Sequence, residues 1–370
     1  MTNENDQDLT RSSQQKLTKY SSDLIKKGLG LAKSIQVHSD NRFIDFFLEG
    51  KRKNDEGNYQ EAIQLLNKAL SINPKYWDAY HARGFSYENL EDYQSAINDY
   101  NRALEINPNS AKTYSNRGNL YKELNNYQWA MEDFNQALRI DPNYLNAYYN
   151  KGNLYQILKN YPQAIESYSQ ALNINSSHWQ NYFNRGIAYR IMREYHKAIQ
   201  DITKSLESNP NDNAIYCQLG ILYMDLFEYQ NAIENFDQSI KINSLDFLSY
   251  LKRGICHDKQ GKKQKAINDF TTVLNINENY FVAYCLRGQV FNELKNHAKA
   301  REDWIKGFLL KGKSHQLNEE YQDAINSYTM VLELDDKNFD AYNQRSTVYL
   351  ATGNYHEAMK DLQKAKEFSK

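Results

Sequence analysis

One stretch of the sequence has the spacing of a phosphate-binding loop. Residues 307–314 read GFLLKGKS, which matches the pattern GxxxxGK[ST] at every position. That pattern binds phosphate when it follows a buried strand and forms an open loop of small residues. Here the preceding segment, HAKAREDWIK, is polar and favours helix, and three of the four inner residues are large and apolar. We therefore expect Gly307 and Gly312 to be packing residues, and a nucleotide-binding protein or switch is kept as an alternative.

No other spacing in the chain predicts catalysis or a bound cofactor. The eight histidines form no HExxH motif or paired ligand set. The three cysteines, Cys217, Cys256 and Cys285, lack CxxC or metal-ligand spacing, and their small odd number gives no disulfide framework. We expect a protein that is not an enzyme and holds no metal or cofactor.

Composition excludes several classes of protein. The 45 lysines and arginines nearly balance the 46 acidic residues, which argues against a broad basic surface for nucleic acid. No segment approaches the roughly 20 apolar residues that cross a bilayer, and residues 1–20 lack the apolar run of a secretory signal. We expect a cytoplasmic protein with neither membrane insertion nor a nucleic-acid partner. The 30 tyrosines need regular packing positions, which suggests internal repeats.

A pattern of aromatic and small residues recurs every 34 residues. It predicts two helices per repeat, with small residues where the helices touch and a proline that ends the second helix. Because one pair cannot bury its apolar face alone, successive pairs must stack into a solenoid. In residues 77–110 the pattern comprises Tyr80, Gly84, Tyr87, Ala96, Tyr100, Ala103 and Pro108. The same frame fits 43–76, 111–144, 145–178, 179–212, 213–246, 247–280, 305–338 and 339–370, with a shortened copy at 281–304.

This pattern resembles the tetratricopeptide repeat (TPR) family over nearly all of residues 43–370. The resemblance implies an all-α fold, a right-handed α-solenoid (TPR superhelix) of about ten helix-turn-helix repeats. We expect three parts: an N-terminal polar segment, partly disordered, over 1–42; an array of repeats one to eight over 43–304; and a C-terminal block of repeats nine and ten over 305–370.

The frame breaks at the shortened copy, which is ten residues short. Residues 304–312 fit both the end of a second helix and the beginning of a first helix. We predict that one long helix from about Ala298 to Asn318 merges the two roles. The array would then have 19 helices rather than 20, and the up–down order of the helices after the break would be reversed.

Repeat positions 7 and 23 change together, which predicts a contact between the two helices of one repeat. Where position 7 is Arg, position 23 is Asp; where it is Lys or Leu, position 23 is Ser or Asn. We infer a charged hydrogen bond, although descent of the copies from one ancestor would give the same correlation. The predicted pairs are Arg83–Asp99, Arg117–Asp133, Arg185–Asp201, Arg253–Asp269, Arg287–Asp303 and Arg345–Asp361.

The resemblance also assigns positions 2, 5, 6, 9 and 12 of each first helix to a concave groove that binds proteins. In three consecutive repeats these positions are rich in asparagine, whose amide can pair with the backbone of an extended peptide. A chain rich in Asn everywhere would show the same residues by composition alone. Part of a clamp for a chain-terminal carboxylate is also present, but that set is incomplete. The predicted ladder comprises Lys112, Asn116, Asn119, Asn150, Asn153 and Asn184.

Further along the chain the same positions become apolar. Apolar side chains on an open face predict a contact site for an amphipathic helix or an apolar peptide, which could be the chain's own N-terminal segment. The alternative is that tight curvature packs these residues against each other. The predicted apolar patch comprises Phe183, Ile187, Cys217, Ile221, Met224, Leu248, Leu251, Ile255, Val282 and Cys285.

These observations predict a protein-interaction scaffold or adaptor whose partners are other proteins. The chain ends in KAKEFSK, which favours a polar cap on the last helix and hence a monomer. A structural assembly factor that stacks end to end through its terminal repeats is a further alternative.

Overall fold

The computed structural model describes residues 42–369, and the predicted all-α fold is confirmed over that range. The described residues form nineteen helices and no strand. They divide into two compact units between Ile174 and Asn175. The helices are α1 (42–55), α2 (Tyr59–Ile72), α3 (Trp77–Asn89), α4 (Tyr93–Ile106), α5 (Ala111–Glu123), α6 (Tyr127–Ile140), α7 (Leu145–Ile157), α8 (Tyr161–Ile174), α9 (Trp179–Ile191), α10 (Tyr195–Ser208), α11 (Asn213–Asp225), α12 (Tyr229–Ile242), α13 (Phe247–Lys259), α14 (Lys263–Ile276), α15 (Phe281–Glu293), α16 (His297–Leu317), α17 (Tyr321–Leu334), α18 (Phe339–Ala351) and α19 (Tyr355–Phe368).

Close approach of the two helices in a repeat depends on glycine at position 8. A Cβ added to Gly152 would lie 2.5 Å from the ring of Tyr168, and one added to Gly220 would lie 2.5 Å from the ring of Phe236. Both rings are fully buried. The absence of a side chain on the first helix therefore makes room for an aromatic ring from the second, and this pairing lies in the core of these repeats.

The predicted long helix is present as α16, which has 21 residues. It packs against both α15 and α17, so it serves as the second helix of one pair and the first helix of the next. Added Cβ atoms would lie 3.0 Å from Cys285 Sγ at Gly307 and 2.5 Å from Tyr328 at Gly312. Both glycines are packing residues inside a helix, whose backbone N–H groups are not arranged as a phosphate loop.

The predicted boundary between the two blocks of repeats also involves helix α16. The boundary expected at 304/305 falls inside α16, and the division into those blocks stays a prediction. The expectation of a partly disordered polar segment concerns residues that lie almost entirely outside the described part of the chain.

The predicted Arg–Asp contacts are present in all six repeats. In one of them, Arg117 donates from Nε and Nη2 to the two carboxylate oxygens of Asp133, at 2.8 and 2.7 Å. The third contact of this arginine was not predicted: Nη1 donates to Asn101 Oδ1 at 2.6 Å on the preceding second helix. One guanidinium therefore connects three helices, α4, α5 and α6. The other pairs are Arg83–Asp99, Arg185–Asp201, Arg253–Asp269, Arg287–Asp303 and Arg345–Asp361.

Candidate protein-interaction surfaces

The polar ladder of the first unit lies on α5 and α7. Asn116, Asn119, Asn150 and Asn153 are all half-buried. Asn116 Nδ2 lies 3.5 Å from the Tyr100 hydroxyl, and Asn150 Nδ2 donates to Ser115 Oγ at 3.4 Å. These contacts are long, so they orient the amides without saturating them.

Asn119 belongs to a tighter polar network. Its amide bonds to the Glu88 carboxylate, and its Oδ1 accepts from Lys122 Nζ at 2.9 Å. Glu88 also accepts from the Tyr100 hydroxyl at 2.6 Å. Burial raises the pKa of Glu88, and the hydrogen bonds from Tyr100 and Asn119 offset part of that rise. Both the nitrogen and the oxygen of the Asn119 amide therefore have partners within the protein. This residue stabilises the surface rather than offering a free amide to a peptide.

A hydroxyl from the second helix supports the polar face from below. The Tyr168 hydroxyl lies 2.7 Å from both Asn153 Oδ1 and Gln156 Oε1, and the Tyr328 hydroxyl lies 3.1 Å from Gln316 Oε1. Sequence reasoning missed this contact, although a signal exists. Tyr at position 24 occurs with Glu or Gln at position 12, in the pairs Tyr100–Glu88, Tyr168–Gln156 and Tyr328–Gln316, whereas Phe134, Phe236 and Phe270 occur with Lys122, Met224 and Asp258.

The two ends of the predicted ladder differ from its middle. Lys112 is exposed on the first turn of α5. Asn184 lies half-buried on α9, in the second unit. Its membership of one continuous ladder stays a prediction.

The apolar patch of the second unit lies on α9, α11, α13 and α15. Eight of its ten members are half-buried, with side chains partly open to solvent. The expectation of an open face is wrong for Cys217 and Leu251, which are each only 4% exposed. Cys217 packs with Phe236 and Cys256, and Leu251 belongs to the core cluster around Phe270. In these two repeats the side chain at position 5 packs into the core.

An open cleft of about 530 Å³ lies between α15 and α16. Two members of the predicted patch, Val282 and Cys285, line it, and Lys311 is its one charged lining residue. Trp304 Nε1 donates to the Cys285 carbonyl at 3.3 Å, which fixes the indole as one wall. Burial raises the pKa of the Cys285 thiol, which is therefore a neutral packing group. The remaining lining residues are Phe281, Leu286, Gln289 and Phe308.

Sequence reasoning missed the α16 side of this cleft. Trp304, Phe308 and Lys311 were assigned to a merged helix whose outward face the repeat frame does not define. The signal was the size of the aromatic residues: Trp304 stands at a position where the other repeats carry Tyr, Phe, Ile or Leu.

One cluster of potential metal ligands was also missed. His315, Glu320 and Asp323 bring one ligand atom each to within 4.8 Å of one another. Both acidic residues are exposed and lie at the beginning of α17, where carboxylates interact favourably with the helix dipole. The electrostatics of the helix end explain the acidic residues without a metal ion.

The last helix is less polar than its sequence predicts. Tyr355 and Met359 on α19 are 67% and 63% exposed, and Leu362 extends the same stripe. Lys366 continues it with a charge. The expected polar cap is therefore wrong for the first three turns of α19, whose exposed face carries these apolar side chains.

Comparison with known proteins identifies repeat units along most of the chain. Family sequence models described as tetratricopeptide repeat match residues 77–110, 111–144, 145–178, 180–212, 214–244, 248–280 and 339–370, and one described as TPR repeat matches 50–91. No curated protein matches the chain. None of the helices within residues 42–369 combines the length and apolar character needed to cross a membrane.

Solved structures share the architecture at low sequence identity. A tetratricopeptide repeat protein from Parabacteroides merdae is 21% identical with a TM-score of 0.50, and the match covers 68% of this chain and 99% of that one. The pilF protein of Pseudomonas aeruginosa is 20% identical with a TM-score of 0.52, and the match covers 57% of this chain and 96% of that one. At these identities the likeness concerns the fold alone.

Proposed function

Since this chain belongs to the tetratricopeptide repeat family, we propose that it is a protein-interaction scaffold that binds segments of partner proteins on its first-helix faces. The proposal assigns different partner chemistry to the two units. The first unit takes extended backbone on the amides of α5 and α7, and the second takes apolar side chains.

The cleft between α15 and α16 is the observation that carries the proposal. Its volume of about 530 Å³ suits one or two large apolar side chains, and its walls are aromatic and aliphatic. Lys311 at its edge adds an electrostatic preference. We infer that the partner segment carries an apolar anchor followed or preceded by a carboxylate that pairs with this lysine.

Selection from a random peptide library on the full chain tests this assignment. Peptides with an aromatic or aliphatic anchor beside Asp or Glu are expected to be enriched. Their affinity should fall at least tenfold in the Val282→Asp/Phe308→Asp variant, because charges would then occupy the wall of the cleft. Leu294→Asp, an exposed apolar position in the same repeat, is the matched control and should bind normally. Equal binding by both variants would refute the cleft as the binding site.

The amide face of the first unit requires a separate test. Asn150→Ala with Asn116→Ala removes the two ladder amides that have only long internal contacts. We expect weaker binding of extended peptides that is insensitive to the peptide's side chains, with unchanged helix content by circular dichroism. Binding that depends only on one peptide side chain would contradict backbone recognition.

End-to-end assembly is the second candidate function, and the exposed stripe on α19 favours it. Tyr355, Met359 and Leu362 form one apolar face that a further helix can cover. Sedimentation of the wild-type chain and of Tyr355→Lys/Met359→Lys over a range of concentrations tests it. Self-association that the variant abolishes would support assembly, and a concentration-independent monomer in both would refute it.

A further inference from the structure

A polar cleft of about 460 Å³ lies on α12, α13 and α14. None of its lining residues stands at one of the groove positions 2, 5, 6, 9 and 12 of a first helix. Three cationic residues line it, Arg253, Lys262 and Lys265, together with His257. Two carboxylates, Asp237 and Asp269, complete the charged lining. The proposed scaffold function gives this cleft no role.

The repeat that holds the cleft differs at position 11 from the five repeats before it. In those five repeats position 11 is Tyr. In two of them the ring lies close to the arginine of position 7: the Arg117 and Arg185 guanidinium carbons lie 5.8 and 5.9 Å from the ring centres of Tyr121 and Tyr189. In the seventh repeat this position is His257. Because imidazole is shorter than phenol, space remains between the second helices α12 and α14.

The charges around the cleft do not cancel. Arg253 donates to Asp269 at 2.6 and 3.0 Å and to Asp237 at 2.6 Å, so the two carboxylates are already paired with one guanidinium. Lys262 and Lys265 form no ion pair with any residue between 42 and 369. With Arg253 they outnumber the carboxylates, which leaves an excess of positive charge in the cleft.

These lysines stand at the positive end of a helix. Lys262 is the N-cap residue of α14 and makes no side-chain cap, so the first backbone N–H groups have no side-chain acceptor there. The corresponding residues before α10 and α12 are Glu194 and Glu228, whose charge suits the helix dipole. An anion at α14 would supply the negative charge that those helices have from their own side chains.

His257 is a second and independent sign of a missing ligand. The side chain lines the cleft and is only 7% exposed, yet its Nδ1 has no hydrogen-bond partner within the described part of the chain. Its Nε2 lies 4.0 Å from Asp269 Oδ2. Burial lowers the pKa of His257, Arg253, Lys265 and Lys262 lower it further, and Asp269 raises it in part. A buried imidazole without a partner is unfavourable unless a ligand supplies the missing contact.

We propose that this cleft binds a tetrahedral oxyanion of the phosphate class. The ammonium groups of Lys262 and Lys265 and the uncapped N–H groups of α14 donate to its oxygens. His257 takes a proton from solvent and becomes a further donor. The same chemistry fits free phosphate and a phosphorylated side chain of a bound partner, and the two sources differ in what else contacts the protein.

Calorimetric titration of the full chain with sodium phosphate, against sodium chloride of equal ionic strength, tests the site. We expect saturable binding that weakens at least tenfold in Lys262→Ala/Lys265→Ala. Lys241→Ala, at the exposed end of α12, is the matched control and should bind as the wild type does. His257→Tyr fills the cleft with the residue of the five preceding repeats, so it should fold normally and lose binding.

Two further measurements sharpen the result. Sulfate does not titrate between pH 8 and pH 6, so tighter sulfate binding at pH 6 in the wild type and not in His257→Asn would assign the added proton to His257. A phosphoserine peptide that binds more tightly than phosphate, at the same residues, would identify a partner's phosphate as the source. Absent phosphate and phosphopeptide binding, or equal binding by the lysine variant and the wild type, would overturn the proposal.

Discussion

The two units use one internal design and present two different faces. In the first unit, the face of α5 and α7 carries amides held by tyrosine hydroxyls and the Glu88 carboxylate. In the second unit, the corresponding face carries aliphatic and aromatic side chains and ends in the cleft beside Trp304. The core pairs of glycine with an aromatic ring and of arginine with aspartate are the same in both. A repeat frame therefore fixes the scaffold and leaves the exposed positions free to diverge.

The largest expected effect tests whether the two cores are equivalent. Phe134 and Phe236 are fully buried against Gly118 and Gly220 in their respective units. Phe134→Ala and Phe236→Ala should each lower the free energy of unfolding by about 3–5 kcal/mol, because each leaves a cavity in a packed core. Chemical denaturation measures the loss, and hydrogen exchange shows which unit opens. A loss in one unit several times that in the other would show that the cores differ.

A smaller effect concerns the arginine that connects three helices. Arg117→Ala should cost about 3 kcal/mol, because it leaves the buried Asp133 carboxylate unpaired. The chain holds a natural comparison in Lys151, which among residues 42–369 donates only to Asn135, at 2.9 Å, while Ser167 bonds to its own helix backbone. Lys151→Ala should therefore cost about 1 kcal/mol in the same denaturation experiment.

The double variant Arg117→Ala/Asp133→Ala separates the causes. Removing the stranded carboxylate should restore part of the stability lost in the single variant. If Arg117 and Asp133 did not interact, the double variant would lose the sum of the stability losses of the two single variants. That result would contradict the pairing.

The next effect is a dependence of folding stability on pH, which we expect from His81 in the first unit. Burial lowers the pKa of His81 in the folded state to about 3, with Lys112 and Lys51 contributing. The unfolded chain therefore binds more protons than the folded chain below about pH 6.5, so stability is present above that pH and is lost as the pH falls towards 3. At pH 5 the loss from this group alone is about 2 kcal/mol.

Denaturation of the wild type and of His81→Asn at pH 7 and pH 5 measures this contribution. The variant should lose less stability than the wild type between the two values. His257→Asn in the second unit is the comparison, since burial lowers the pKa of His257 as well. An identical pH slope in His81→Asn and the wild type would show that His81 is not the titrating group.

The periodic features of this molecule were predictable, and the features set by local shape were not. Position 7 and position 23 vary together, and they touch in the six repeats that carry Arg and Asp, so Arg117 and Asp133 could be paired from sequence. The merged helix α16 followed from a count of residues against the frame. The burial of Cys217 and Leu251 did not follow, because it depends on how far neighbouring first helices stand apart. The cleft beside Trp304 depends on α16, the one helix with two roles among those the structure describes, so the repeat gives no template for its outward face.

The smallest expected effect tests whether the tyrosine hydroxyl at position 24 depends on the Glu or Gln at position 12. Tyr168→Phe should cost about 1 kcal/mol, since Asn153 and Gln156 lose a hydrogen bond but remain half-buried and in reach of water. The reverse change in the second unit, Phe236→Tyr, adds a hydroxyl where Met224 stands at the position of Gln156. It should also destabilise by about 1 kcal/mol, because the new hydroxyl is buried without an acceptor.

Adding Met224→Gln to Phe236→Tyr should recover that loss, as the pair then matches Tyr168 and Gln156. Denaturation of the four chains in this cycle gives the coupling directly. Zero coupling would mean that the hydroxyl contact does not contribute to stability. The residue at position 12 of a first helix would then be independent of the residue at position 24 of the second helix. A favourable coupling would mean that replacing polar by apolar residues on the first helix requires replacing Tyr by Phe on the second helix. That requirement would explain why Tyr168 occurs together with Asn153 and Gln156.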